Sequence, residues 1–176
     1  KVSYNNLTSL NVDNNIMLKT ILANKNQLSE LNLSKNINLE WLEIWNNQIS
    51  NLDVSKNILL ENLSAYNNVI KELDISQNTS LEQLVIFKNN LTELFLNNNI
   101  LLERIFLSDN ELNELDVSQN TALTILDIEN NNLQQIDITN NSLLTTLIAA
   151  NNKLDEIDVS ENTALTILSL KNNQLN

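Results

Sequence analysis

The sequence predicts a mostly β solenoid, a coil of stacked rungs with little or no helix, and three observations carry that prediction. A unit of 21 residues repeats along the whole chain without an insertion. Within each unit apolar residues alternate with polar ones, as at Leu126 and Ile128, and Asn recurs where a helix would be interrupted, so the 3.6-residue period of a helix fits poorly. A unit this short cannot bury its own apolar side, so copies have to stack over one continuous core.

Residues 1–9 form a partial unit, and complete units begin at Leu10, Leu31, Leu52, Leu73, Leu94, Leu115 and Ile136, with an eighth from Ile157 that is one residue short. The unit 115–135 reads LDVSQNTALTILDIENNNLQQ, and its halves LDVSQN and LDIENN repeat each other. Leu39, Leu60, Leu81, Leu102, Leu123, Leu144 and Leu165 form one apolar column; Leu42, Leu63, Leu84, Ile105, Leu126, Leu147 and Leu168 form another. Two Asn columns are as regular: Asn15, Asn36, Asn57, Asn78, Asn99, Asn120, Asn141 and Asn162, and Asn5, Asn26, Asn47, Asn68, Asn89, Asn110, Asn131, Asn152 and Asn173. Residues 1–176 are therefore read as a single solenoid. It is expected to be a segment of a longer protein, because residue 1 enters in mid-strand and residue 176 leaves an apolar edge without a polar cap.

The composition says how the rungs turn. There is no Gly, Pro, Cys or His, against 37 Asn and 35 Leu. Asn is the remaining residue that tolerates left-handed backbone and folds its side chain onto nearby main chain. The two Asn columns are accordingly expected to make every turn and also to bond one rung to the next, since an amide both donates and accepts whereas stacked Asp would repel.

Several function classes fall away on the same count. A net charge of -12 repels nucleic acid and disfavours an anionic membrane surface. No apolar run approaches the ~18 residues that would span a bilayer. Without His or Cys there is no Ser-His-Asp, Cys-His or His-metal arrangement, and without Gly no phosphate-cradling loop, so neither an enzyme nor a cofactor is expected. Glu40 and Glu61 could pair as glycosidase carboxylates, but on adjacent rungs of a regular ladder nothing separates their pKa values.

The segment Leu123, Leu126, Ile128, Asn131, Leu133 fits the pattern LxxLxLxxNxL, and every full unit fits it with conservative changes. In this the chain resembles the leucine-rich-repeat family, most of all the short 21-residue class with nested 10- and 11-residue halves found in internalin-like bacterial surface proteins. The resemblance implies a right-handed solenoid with a parallel β-sheet on the concave face and short strands or turns opposite. It also implies a secreted or cell-surface, non-catalytic recognition or adhesion module that binds a protein partner.

Variable positions between consensus residues carry function. On the concave strand of the unit from Leu31 the outward residues are Glu40, Trp41, Glu43, Trp45 and Asn46. One outward column reads Ser3, Asn24, Trp45, Tyr66, Phe87, Ser108, Glu129, Ala150, Lys171, placing three aromatics on consecutive rungs about 4.8 Å apart. Val85 and Phe106 fall in the neighbouring column, Trp41 and Arg104 in the next. Of seven aromatics, Tyr4 and these five (Trp41, Trp45, Tyr66, Phe87 and Phe106) occupy outward positions that packing does not require. Trp, Tyr and Arg dominate binding hot spots, so Trp41, Trp45, Tyr66, Phe87, Arg104 and Phe106 are the candidate site.

Glu40, Glu61, Glu82 and Glu103 border this patch with Glu43 inside it, as acceptors for a partner or as a solvating edge. Carbohydrate binding on the same rings, with these carboxylates accepting from hydroxyls, is the alternative reading, and a structural spacer is another. Opposite, Asp53, Asp74, Asp116, Asp137 and Asp158, with Glu72, Glu114 and Glu156 before three of them, have the oxygen ligands that suit Ca²⁺. A tight Gly-bearing loop is lacking, so these Asp are read as acceptors of local turn hydrogen bonds and no metal is expected.

Overall fold

The computed structural model describes all 176 residues. Eight three-residue strands, β1 (Thr20–Leu22), β2 (Trp41–Glu43), β3 (Asn62–Ser64), β4 (Gln83–Val85), β5 (Arg104–Phe106), β6 (Ile125–Asp127), β7 (Thr146–Ile148) and β8 (Ile167–Ser169), form one parallel sheet in sequence order. Pairing is between residues one unit apart, such as Trp41 with Asn62 and Leu42 with Leu63, so the repeat and the register are the same number. No helix forms, and none of the structure is a helix long and apolar enough to cross a membrane. The far side of each rung consists of turns rather than strands. Asn57 N–H bonds Val54 O and Leu60 N–H bonds Asn57 O, two successive turns that bring the chain back to the sheet.

The strands are short because only the middle residue of each points inward. In β2 Leu42 is buried while Trp41 and Glu43 face out. Main-chain pairing continues past the strand end, with Ile44 N–H to Ser64 O at 2.9 Å and Asn46 N–H to Tyr66 O at 3.0 Å. Forty buried apolar side chains, including the Leu39 and Leu42 columns in the inner rungs, make one core running the length of the coil. Burial at ~25 cal/mol per Å² of apolar surface is its main stabilising term.

The Asn columns divide the work differently from the expectation that they make every turn. Positive φ belongs to neither. It lies in the column immediately before Asn26 and its equivalents, at Tyr4, Lys25, Asn46, Asn67, Lys88, Asp109, Asn130, Asn151 and Asn172, with φ from 53 to 60°. Asn fills five of those nine places, where its tolerance of left-handed backbone is used, and longer side chains fill others. Lys88→Asn is therefore expected to stabilise the chain by roughly 0.5 kcal/mol, by removing an ill-suited residue from a left-handed position. A thermal unfolding midpoint at or below that of the parent would contradict it.

The two invariant columns supply hydrogen bonds instead. Asn131 shares its Nδ2 hydrogens among Leu107 O at 3.1 Å, Ile128 O at 3.1 Å and Glu129 O at 3.2 Å, and its Oδ1 accepts the Leu112 N–H at 3.0 Å. Each such amide thus closes its own turn and clamps the preceding rung. The other column only donates: Asn120 Nδ2 reaches Leu96 O at 3.2 Å and Asn99 O at 2.8 Å. Its Oδ1, like those of Asn36, Asn57, Asn78, Asn99, Asn141 and Asn162, is buried without a protein partner. An apolar replacement would strand two carbonyls in place of one amide oxygen, which accounts for keeping the amide.

Candidate functional site

The outward columns of the sheet carry the residues singled out from the sequence. Trp45 and Tyr66 stack with ring centroids 5.1 Å apart and planes within 7°; Tyr66 and Phe87 stack at 4.3 Å and 10°. Tyr4 meets Trp45 edge-on at 6.2 Å. The one-rung spacing of the ladder is close to the stacking distance of aromatic rings, so three consecutive rings in one column stack without adjustment. Burial in the stack pushes the Tyr66 hydroxyl above its ordinary pKa, with Tyr4 and Glu43 adding to the effect.

Polar neighbours hold the stack in place. Glu43 on β2 accepts the Trp41 indole N–H at 2.9 Å and, more distantly, that of Trp45 at 3.4 Å. Lys25, in the left-handed column, lies over Tyr4 with its Nζ 4.5 Å from the ring centroid and 5.4 Å from that of Trp45. The two indole N–H groups are satisfied within the chain, both by Glu43. Phe106 is half-buried on β5 beside Val85, while Arg104 on the same strand is exposed.

Glu40, Glu61, Glu82 and Glu103 line one margin of the face, one per rung. Only Glu40 has an ion-pair partner, Lys19 at 2.6 Å, and this contact holds the exposed Lys19 ammonium above its usual pKa. From β6 onward Thr takes the place of Glu, and its hydroxyl bonds the carbonyl one rung back, as from Thr124 to Glu103 O at 3.0 Å. Side-chain charge on the early rungs gives way to internal bonding on the later ones.

Asp127 was not distinguished by the sequence, since its column holds Leu22, Glu43, Ser64, Val85 and Phe106 and shows no rule. The structure half-buries it on β6, in register with Phe106 and Ile148. Burial pushes its carboxyl up from the ordinary Asp range, with Glu129 and Asp109 adding repulsion and the Glu129 N–H and the Ser108 hydroxyl opposing it. A raised folded pKa means the ionised group costs stability at neutral pH, a cost relieved as pH falls through that pKa. Asp127→Asn is expected to raise the urea midpoint at pH 7, with the gain shrinking toward acid. A gain that persists unchanged at low pH would refute this account.

A groove of considerable size lies elsewhere. It holds about 1160 Å³ on the far side of the coil, lined by Phe95, Glu114, Asp116, Asp137, Glu156 and Asp158 among others. The Asp residues there are committed to their own turns: Asp116 accepts Ser118 N–H at 2.8 Å, Asp137 accepts Thr139 N–H at 2.9 Å, and Asp158 accepts Ser160 N–H at 2.8 Å. Bonds to those following residues pull their pKa values below the usual carboxylate range. The groove is thus the trough between regular turns, and the aromatic face holds the preorganised side chains. In the turns that lead into the strands, Ile16, Ile37, Ile58 and Ile100, and Met17, Leu59, Leu101 and Leu143 in the column after them, are exposed apolar residues that recur at multiples of the unit spacing.

No profile of a known family and no curated protein matches the chain. Solved structures do. The functional domain of InlJ from Listeria monocytogenes, which includes a cysteine ladder, is 30% identical over 94% of this chain and 46% of its own, with a TM-score of 0.63. Internalin InlF from the same organism is 25% identical over 97% of this chain and 53% of its own, with a TM-score of 0.93. The plant peptide hormone receptor RGFR1, solved in complex with RGF2, shares the fold at 20% identity and a TM-score of 0.79, over 89% of this chain and 28% of the receptor. The chain spans about half the length of the two Listeria structures. The InlJ domain includes a cysteine ladder, whereas this chain has no Cys.

Proposed function

We propose, for a chain that belongs to the leucine-rich-repeat family and carries the repeat of internalin-like proteins, that it recognises a protein partner, without catalysis, through the outward face of its sheet. The observation that carries this reading is the preorganised aromatic column Trp45, Tyr66 and Phe87, with both indoles tied to Glu43. Rigid aromatics lose little entropy on binding and dominate interface energetics. The internalins and the peptide hormone receptor among its structural neighbours support a surface location and a polypeptide ligand.

The stacking also bears on carbohydrate as a partner. Both faces of Tyr66 are covered, by Trp45 on one side and Phe87 on the other, so a pyranose cannot lie against it. The ladder offers ring edges along its length, which suits side-chain packing from a polypeptide better than sugar stacking.

The only two Trp residues lie in the proposed site, so binding is readable by intrinsic fluorescence. Polypeptides selected from a display library against the chain are expected to shift the emission on titration. Trp41→Ala with Trp45→Ala is expected to weaken them by about thirtyfold, the loss of one interface hot spot. Selected binders that hold the double variant as tightly as the parent would rule out this face.

A further inference from the structure

If the sheet face is a recognition surface, the abrupt end of its ring column has a consequence for what it recognises. Phe87 is followed in its column by Ser108 and then Glu129, so the ring covered by Tyr66 on one side has only a hydroxymethyl group on the other. Phe106 and its register partner Asp127 flank this step in the adjacent column. Asp109 stands on the other side and Glu129 one rung on in the ring column, each held by an amide from the next rung: Asn130 Nδ2 to Asp109 at 2.7 Å and Asn151 Nδ2 to Glu129 at 3.1 Å. Asp127 accepts the Glu129 N–H at 3.2 Å.

None of these three carboxylates has a counter-ion. The one ion pair in the chain is Lys19 with Glu40, and neither Lys88, a rung before Asp109, nor Arg104, on the strand of Phe106, reaches them. A half-buried carboxylate among like charges is a standing cost that Asn would remove without a change of shape. An open aromatic face beside carboxylates is the combination that recognises a guanidinium or ammonium group.

We propose that the step over Ser108 receives an Arg or Lys side chain of the protein partner, its stem against Phe87 and Phe106 and its charged head at Asp127. This rests on the sheet face being the recognition surface and adds the chemistry of what it takes. Charge complementarity selects the occupant: Glu61, Glu82 and Glu103 line the margin unpaired, so an acidic segment is repelled and a basic one steered in.

The test uses the 176-residue chain against immobilised extended peptides that differ only in having Arg, Lys, Gln or Glu next to a Leu. Arg and Lys peptides are expected to be retained over Gln and Glu. Asp127→Asn is expected to weaken the Arg peptide about tenfold and leave the Gln peptide unchanged. Ser108→Phe, which fills the step with a further ring, is expected to erase the preference for a cation while the chain stays folded by thermal unfolding. Equal retention of Gln or Glu peptides, or an Arg affinity insensitive to Asp127→Asn, overturns the proposal. Peptides that need Trp45 but show no preference for a cation sink this inference and leave sheet-face recognition standing; an array with no binding at all sinks both.

Discussion

Asn131→Asp is expected to destabilise the chain by about 3–5 kcal/mol at pH 7, the scale of an uncompensated buried charge. Sequence reasoning alone supports ~1–3 kcal/mol for a buried, poorly solvated group. The geometry enlarges the estimate, because the introduced carboxylate would face Leu107 O, Ile128 O and Glu129 O, all now satisfied by the Asn131 amide. It would lose every donor and keep only the Leu112 N–H as a partner. Burial raises the pKa of the introduced carboxyl, so the penalty is present above that pKa and is relieved as pH falls through it.

Asn46→Asp is the control. Asn46 sits at φ 54°, a conformation Asp109 adopts in the same column, and its Oδ1 accepts from Asn67 Nδ2 at 2.7 Å, which a carboxylate can also do. A change within about 0.5 kcal/mol is expected there, as for an ordinary surface substitution. Urea unfolding of both variants followed by circular dichroism is the measurement, and equal shifts would undo the view that the Asn131 column clamps the rungs.

Leu126→Ala is expected to cost about 2–5 kcal/mol, while Leu168→Ala in the same chain costs under about 1 kcal/mol. The two residues end identical TALTIL segments, at 121–126 and 163–168, so no local sequence rule separates them. Leu126 is fully buried between β5 and β7, whereas Leu168 on β8 is 47% exposed with no rung beyond it in this chain. Burial in a solenoid is a property of having neighbours on both sides. Comparable losses in the two variants would mean that rungs are stabilised within themselves.

The site was legible in proportion to how strictly each column repeats. Outward positions follow from the alternation about the inward Leu42 column, so Trp41, Trp45, Tyr66, Phe87, Arg104 and Phe106 could be assigned to one face from spacing alone. What spacing could not provide is contact between side chains of different columns. Glu43 reads as one acid among several, yet it is the acceptor for both indoles. Nothing in the pattern singles out Lys25, yet its ammonium lies over Tyr4 and Trp45. Asp127 has no pattern at all, and its raised pKa arises from burial and from Glu129 and Asp109, which lie in other columns.

The absence of Gly and Pro shows where the boundary falls. By itself the 21-residue spacing determined the coil, the register of every strand pair and the columns of the core, because stacking is the one way so short a unit buries its apolar side. Which column carries the turn was decided only in three dimensions: the left-handed residue is the variable one before Asn26, Asn47 and Asn68, and the invariant amides bond across rungs, to Val2 O, Ala23 O and Ile44 O. A repeat records which residue type is required at a position. Whether it is required for its backbone or for its amide depends on the carbonyls that the neighbouring rung presents to it.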